Sequence, residues 1–166
     1  MSYWSLTDSH FLHFQNLLIL HRDIKPDNFL VVSLETNVPV NAKLTDFGSA
    51  RNVNLLMTNM TFTKGIGTPA YMAPEILNKQ HYKKSADIFS FAVTMYEVFA
   101  WAEAYPKSQF RFPWKIAEYI MNEQRRPQLE SHPKDVFIII ECSWKQYPKE
   151  RLTIKQIIEL LNKISL

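Results

Sequence analysis

Apolar and polar positions in this chain change period several times, and each change marks an element. Ile154, Ile157, Ile158, Leu161 and Ile164 recur at three- and four-residue steps, which places them on one face of a helix. Thr153, followed three residues later by Gln156, supplies a capping box at its start. The run SADIFSFAVTMYEVFAW, from Ser85 to Trp101, is apolar almost all round. It predicts a helix buried on every side, with Ser85 as its N-cap. The stripe Phe89, Phe91, Met95 and Phe99 within it is read as core, not as a cofactor-binding face. FPWKIAEYIMNE predicts a third helix with Pro113 in its first turn. VFIII at 136–140 stays open: its β-branched run favours a strand and its neighbours favour a helix.

The first third reads differently. Residues 1–20 show no helix start signal. NLLIL leads into a charged segment, and FLVV (Phe29–Val32) leaves it as a short buried strand. SLETNVPVN supplies turn residues, and AKLTDF is a second short strand. From Gly48 to Thr68 the chain is rich in Asn, Thr and Gly and has little periodicity, which predicts a long loop of the kind that carries function.

The charged segment between the apolar runs holds His21, Arg22, Asp23, Lys25, Asp27 and Asn28. Burying that many ionisable groups is costly unless other charges compensate them.

Composition narrows the choices. The 166 residues suit one domain; 46% are hydrophobic and 21% charged, ordinary for a soluble globular chain. A net charge of +3, scattered along the chain, gives no electrostatic case for nucleic acid. The basic run at Gln124–Pro127 is read as a solvated helix end. A single cysteine, Cys142, cannot form an internal disulfide, which suits a reducing compartment. Residues 1–20 lack the Lys or Arg of a signal peptide, so the sequon at Asn59–Thr61 is read as a chance match. Ala86–Trp101, the best apolar stretch, is shorter than the roughly 20 residues a span needs, and Asp87 and Glu97 interrupt it. These features predict a cytoplasmic protein with no membrane insertion. His10, His13 and His81 have no nearby partners that would make a metal site.

In order, HRDIKPDN (21–28), DFG (46–48), GTPAYMAPE (67–75), SADIFSFA (85–92) and CSWKQYPKERLT (142–153) together resemble the C-terminal lobe of eukaryotic protein kinases. The resemblance covers roughly residues 11–166 and is greatest to serine/threonine kinases of the tyrosine-kinase-like branch. Residues 1–10 are atypical. It implies a mainly α (α+β) fold, a helical C-lobe with short β-hairpin segments carrying the catalytic and DFG loops.

It also implies roles. Asp23 would accept the substrate hydroxyl's proton, and Lys25 would meet the transferring phosphate of ATP. Asn28 and Asp46 would hold Mg²⁺ through oxygen, and Leu30 would lie beneath the adenine ring. His21 and Phe47 match an apolar stack between lobes, and Gly48 completes the DFG turn. Asp87 matches the carboxylate that holds the catalytic loop, and Glu75 with Arg151 matches a buried ion pair. Arg22 matches the clamp for a phosphorylated activation loop, within which Thr58, Thr61 and Thr63 are candidate phosphosites for an upstream kinase. Lys25 and Thr68 resemble the serine/threonine-specific version. Phe89 and Ala92 replace the Trp and Gly more usual at their positions, conservatively.

Such kinases also use a Gly-rich loop and a Lys–Glu pair from an N-terminal lobe. The glycines here are Gly48, Gly65 and Gly67, and residues 1–20 contain no Lys and no Glu. The N-lobe is therefore expected to be absent. Two readings stay open: a partial kinase domain that phosphorylates protein substrates weakly alone or with a complementing N-lobe, and a non-catalytic C-lobe that binds substrates or partners.

Overall fold

The computed structural model describes residues 19–35, 38, 41–52 and 69–164. Their architecture is mainly helical, with two small antiparallel ladders at one end of the element order. Strand β1 (Ile19–Leu20) pairs with β4 (Arg51–Asn52), and β2 (Phe29–Val31) pairs with β3 (Ala42–Leu44). Helices α1 (Pro74–Leu77), α2 (Lys84–Ala100), α3 (Pro113–Met121), α4 (Lys134–Ser143) and α5 (Ile154–Leu161) follow.

Helix α2 is the axis of the core. Every residue from Ala86 to Tyr96 is buried, as its unbroken apolar character requires. Its buried polar groups find partners. The Ser90 hydroxyl donates to the Tyr71 carbonyl at 2.7 Å, and the Thr94 hydroxyl donates to the Ser90 carbonyl at 3.0 Å. Ser85 is not the cap: the helix begins one residue earlier, behind Lys83, and no side chain caps it. Among the described residues no helix is long and apolar enough to cross a membrane.

The open segment at 136–140 is helical. Val136, Ile139, Ile140 and Ser143 are buried while Ile138 is exposed, a three-to-four-residue repeat that a strand would not produce. Packing against α2 outweighs the modest helix propensity of the β-branched residues. Helix α5 carries the expected capping box, with the Gln156 N–H donating to the Thr153 hydroxyl at 3.3 Å. Helix α3 starts on Pro113 and buries Ile116 and Ile120.

The expected long loop from Gly48 is interrupted by β4, which anchors the chain beside β1 before residue 53. Strand β2 is also not buried as expected: Leu30 and Val31 are 56% and 46% exposed. It pairs only with β3, so its outer face meets no packed layer among the described residues.

Two partly or fully buried polar residues tie the helices together. His132 accepts from the Leu129 N–H through Nδ1 at 3.0 Å, so its protonated Nε2 donates to the Tyr96 carbonyl at 2.9 Å. Glu97, on α2, accepts from the Tyr71 hydroxyl at 2.7 Å and from the Ala104 N–H at 2.8 Å. Burial pushes the Glu97 carboxyl above its ordinary value of 4.5, against the pull of both donors. A carboxyl raised in the folded state binds its proton more tightly there than in the unfolded chain. Its contribution to stability is therefore largest at acidic pH and declines as pH rises through the window above 4.5. Glu97→Gln keeps the shape without the charge, so the melting temperature of the variant minus that of the parent should grow between about pH 4 and about pH 7. Thermal melts across that range measure it.

Candidate active site

The charged segment leaves β1 and runs directly under the N-terminal end of α2. Asp87, 2% exposed, accepts from the His21 N–H through Oδ2 at 2.9 Å and from the Arg22 N–H through Oδ1 at 3.0 Å. The Tyr82 hydroxyl donates to the same Oδ1 at 2.8 Å. Burial raises the Asp87 carboxyl above the ordinary range, and its three donors act in the opposite direction. Arg22 has φ 73°, a left-handed conformation uncommon for a side-chain-bearing residue, and the Asp87 carboxylate holds it there.

His21 is fully buried. Its Nδ1 accepts from the Asp23 N–H at 3.4 Å, which leaves the protonated Nε2 to donate to the Thr45 carbonyl at 2.9 Å. Its ring meets Phe47 edge-on at 4.9 Å. One imidazole thus joins the catalytic-loop segment to the DFG segment.

Beyond this anchor lies Asp23, whose side chain is largely covered. Its Oδ2 lies 2.9 Å from the Lys25 Nζ. The Asn28 carboxamide donates to the Asp23 carbonyl at 2.6 Å and to Oδ2 at 3.3 Å. Pro26 opens the short 3-10 turn that swings Asn28 back over Asp23. Asn28 then leads into β2, where Phe29 pairs with Leu44; the Thr45 N–H donates to the Asn28 carbonyl at 2.8 Å. This register brings Asp46 to the same end of the hairpin as Asn28. Asp46 is itself left-handed (φ 57°), and its Oδ1 accepts from the Gly48 N–H at 3.2 Å. A Cβ on residue 48 would sit 3.1 Å from that oxygen, so glycine suits the turn.

Asp23, Lys25 and Asn28 are thus in mutual contact, and the hairpin register sets Asp46 at the same end. Asn28 uses its nitrogen on Asp23 and keeps its side-chain oxygen for another partner. Carboxamide and carboxylate oxygens suit Mg²⁺, which needs only one or two protein ligands beside water and phosphate oxygens. Among the described residues no three His, Cys, Asp or Glu side chains form a denser metal cluster. Leu30 follows Phe29 on β2 and Phe47 follows Asp46, and both are exposed, at 56% and 49%.

Arg151 grips Glu75 with both Nη atoms, at 2.8 and 2.6 Å. The Arg22 guanidinium lies over the Tyr82 ring at 5.6 Å, and its Nε and one Nη are buried with no hydrogen-bond partner among the described residues. Thr58, Thr61, Thr63 and Thr68 lie outside the described residues. So do residues 1–10, His10 and His13; His81 is exposed. Sequence reasoning missed Tyr82 and His132. Tyr82 precedes its helix in a stretch without periodicity, and His132 bonds to a carbonyl on another helix; neither leaves a local signal.

A family model described as "Protein kinase domain" matches residues 6–160. The chain belongs to the protein kinase family. This kinase chain is 39% identical over 127 residues to a "Probable serine/threonine-protein kinase gdt9" of Dictyostelium discoideum, covering 76% of the chain and 8% of that relative. It is 34% identical over 165 residues to a "Putative serine/threonine-protein kinase/receptor R818" of Acanthamoeba polyphaga mimivirus, covering 98% and 9%. Against "Mitogen-activated protein kinase kinase kinase 7" of Drosophila melanogaster it is 30% identical over 148 residues, covering 88% and 20%. The kinase chain thus spans a fifth or less of the length of each of these relatives.

Proposed function

We propose that this chain carries the C-lobe of a serine/threonine kinase of the tyrosine-kinase-like branch, which transfers the γ-phosphate of ATP to hydroxyls on protein substrates. The observation that carries the reading is the Asp23 carboxylate, bonded at once to the Lys25 ammonium at 2.9 Å and to the Asn28 carboxamide at 3.3 Å. A carboxylate held in this way, its side chain 14% exposed, is fixed in one direction. The substrate hydroxyl gives its proton to Asp23, its oxygen forms the new bond to Pγ, and the bond from Pγ to the β–γ bridging oxygen breaks to release ADP. Lys25 balances charge on the transferring group. Mg²⁺, held by Asn28 and Asp46, supplies charge neutralisation and orientation of the phosphates. Leu30 supports the adenine, and Thr68 contributes to the choice of serine or threonine.

Phosphorylation of Thr58, Thr61 or Thr63 by an upstream kinase would give the Arg22 guanidinium its anionic partner. A cytoplasmic location fits the single cysteine. Leu30 and Phe47 are open to water, which raises the local dielectric and weakens the contacts that favour the transition state. Transfer by this chain by itself should therefore be slow, and a complementing N-lobe over them should speed it.

A second reading rests on a different observation. Phe112 and Trp114 stack in parallel at 4.3 Å while 40% and 60% exposed, a surface suited to docking a substrate or partner without catalysis. One experiment separates the two. With radiolabelled ATP, Mg²⁺ and a serine/threonine peptide, Asp23→Ala should reduce transfer about 10²–10⁴-fold, the usual worth of a general base. Equal transfer by the two proteins ends the catalytic reading and leaves the docking one.

A further inference from the structure

We propose that Tyr82 is a positioning residue for the catalytic loop, its hydroxyl locking the Asp87 carboxylate that holds Arg22 while its ring carries the Arg22 guanidinium. The role rests on the kinase reading of the loop. Tyr82 lies in the segment before α2 and is largely packed among Asp87, Arg22 and the core. Its O–H donates to Asp87 Oδ1 at 2.8 Å, the same oxygen that accepts the Arg22 N–H at 3.0 Å. The carboxylate can rotate about its χ2 torsion only by giving up one of these bonds. The hydroxyl therefore fixes the acceptor on which the left-handed backbone of Arg22 depends.

The ring has a separate task. The Arg22 guanidinium sits 5.6 Å from its centroid, within the range of cation–π attraction. The same guanidinium has a buried Nε and Nη1 with no hydrogen-bond partner among the described residues. Held against the ring, the side chain keeps those two donors presented together for an anion, with part of its rotamer entropy already lost. Burial and the neighbouring Asp87 raise the Tyr82 hydroxyl well above its ordinary value of 10.0, so it stays a donor at any physiological pH. Tyr82 thereby links the backbone and side chain of Arg22 through one aromatic residue.

The two tasks separate by substitution, and neither measurement needs the chain to transfer phosphate. Tyr82→Phe removes the O–H and keeps the ring. Its Arg22 and His21 amides should exchange with deuterium about tenfold faster than in the parent, while amides of α4 and α5 exchange as before. The Arg22 Nε–H resonance, displaced by the ring current, should stay in place. Tyr82→Leu should show the faster exchange and also return that resonance to the ordinary arginine position. If Tyr82→Leu does not fold, Tyr82→Phe alone decides the hydroxyl's task. Exchange at Arg22 within about twofold of the parent, or a rise spread evenly over α4 and α5, overturns the proposal. Because the exchange readout is independent of phosphate transfer, it tests Tyr82 whether or not Asp23→Ala upholds the catalytic reading.

Discussion

Arg151→Leu is expected to destabilise the chain by about 3–5 kcal/mol, read as a shift in the urea unfolding midpoint at constant slope. The Arg151 side chain is fully buried, and its partner Glu75 nearly so. All five of its donor positions are used. Nη1 donates to Glu75 Oε1 and the Ser85 carbonyl, each at 2.8 Å. Nη2 donates to Glu75 Oε2 at 2.6 Å and the Gln146 carbonyl at 3.1 Å, and Nε donates to the Lys145 carbonyl at 2.8 Å. Removing this fork leaves a carboxylate buried without its counter-charge and three carbonyls without donors. Arg151→Lys should recover little, because a single ammonium cannot span both carboxylate oxygens and the carbonyls. Its guanidinium also lies over the Phe89 ring at 5.2 Å, beside that of Arg125 at 5.1 Å. The double variant Glu75→Leu with Arg151→Leu should cost less than Arg151→Leu alone, since it strands no charge. A double variant costing the sum of the two single ones would show that the pair is not coupled.

What the chain discloses in advance follows from how local each signal is. Asp23, Lys25 and Asn28 could be singled out because they fall within one eight-residue segment, HRDIKPDN, that resembles the kinase catalytic loop. The hairpin that carries Asp46 follows from two short apolar runs flanking turn residues. Helix α5 was complete in its own sequence, apolar face and capping box together. Val136–Ile140 was ambiguous because β-branched composition reports backbone preference, whereas packing on α2 decides the outcome. Ser85 was a plausible cap, but helix α2 starts at Lys84, and the Ser85 carbonyl serves Arg151 instead. The exposure of Leu30 and Val31 could not be read from β2, since an apolar strand states a preference for burial and not what covers it. Tyr82 escaped notice because its importance lies in sharing one oxygen with a backbone N–H from a loop 60 residues earlier (Arg22 and Tyr82 meet at Asp87).

Asp87→Ala should be nearly as damaging, at about 4 kcal/mol, and its damage should be concentrated at the catalytic loop. Three donors converge on this carboxylate: the His21 N–H, the Arg22 N–H and the Tyr82 O–H. Each buried donor left without an acceptor costs about 1–3 kcal/mol. Water cannot take the carboxylate's place at His21, which is fully buried, so the loop must shift to satisfy it. The left-handed Arg22 then loses the contact that offsets its strain and should relax toward an ordinary conformation. Once Arg22 moves, Asp23 moves with it, since the next peptide carries the N–H that bonds His21 Nδ1. Urea unfolding measures the global cost, and amide exchange at residues 21–23 measures its location. Adding Tyr82→Phe to Asp87→Ala should then cost nothing further for the hydroxyl, because its acceptor is already gone. Full additivity of the two substitutions would mean that Tyr82 and Asp87 support the loop independently, contrary to the shared oxygen on which the site is built.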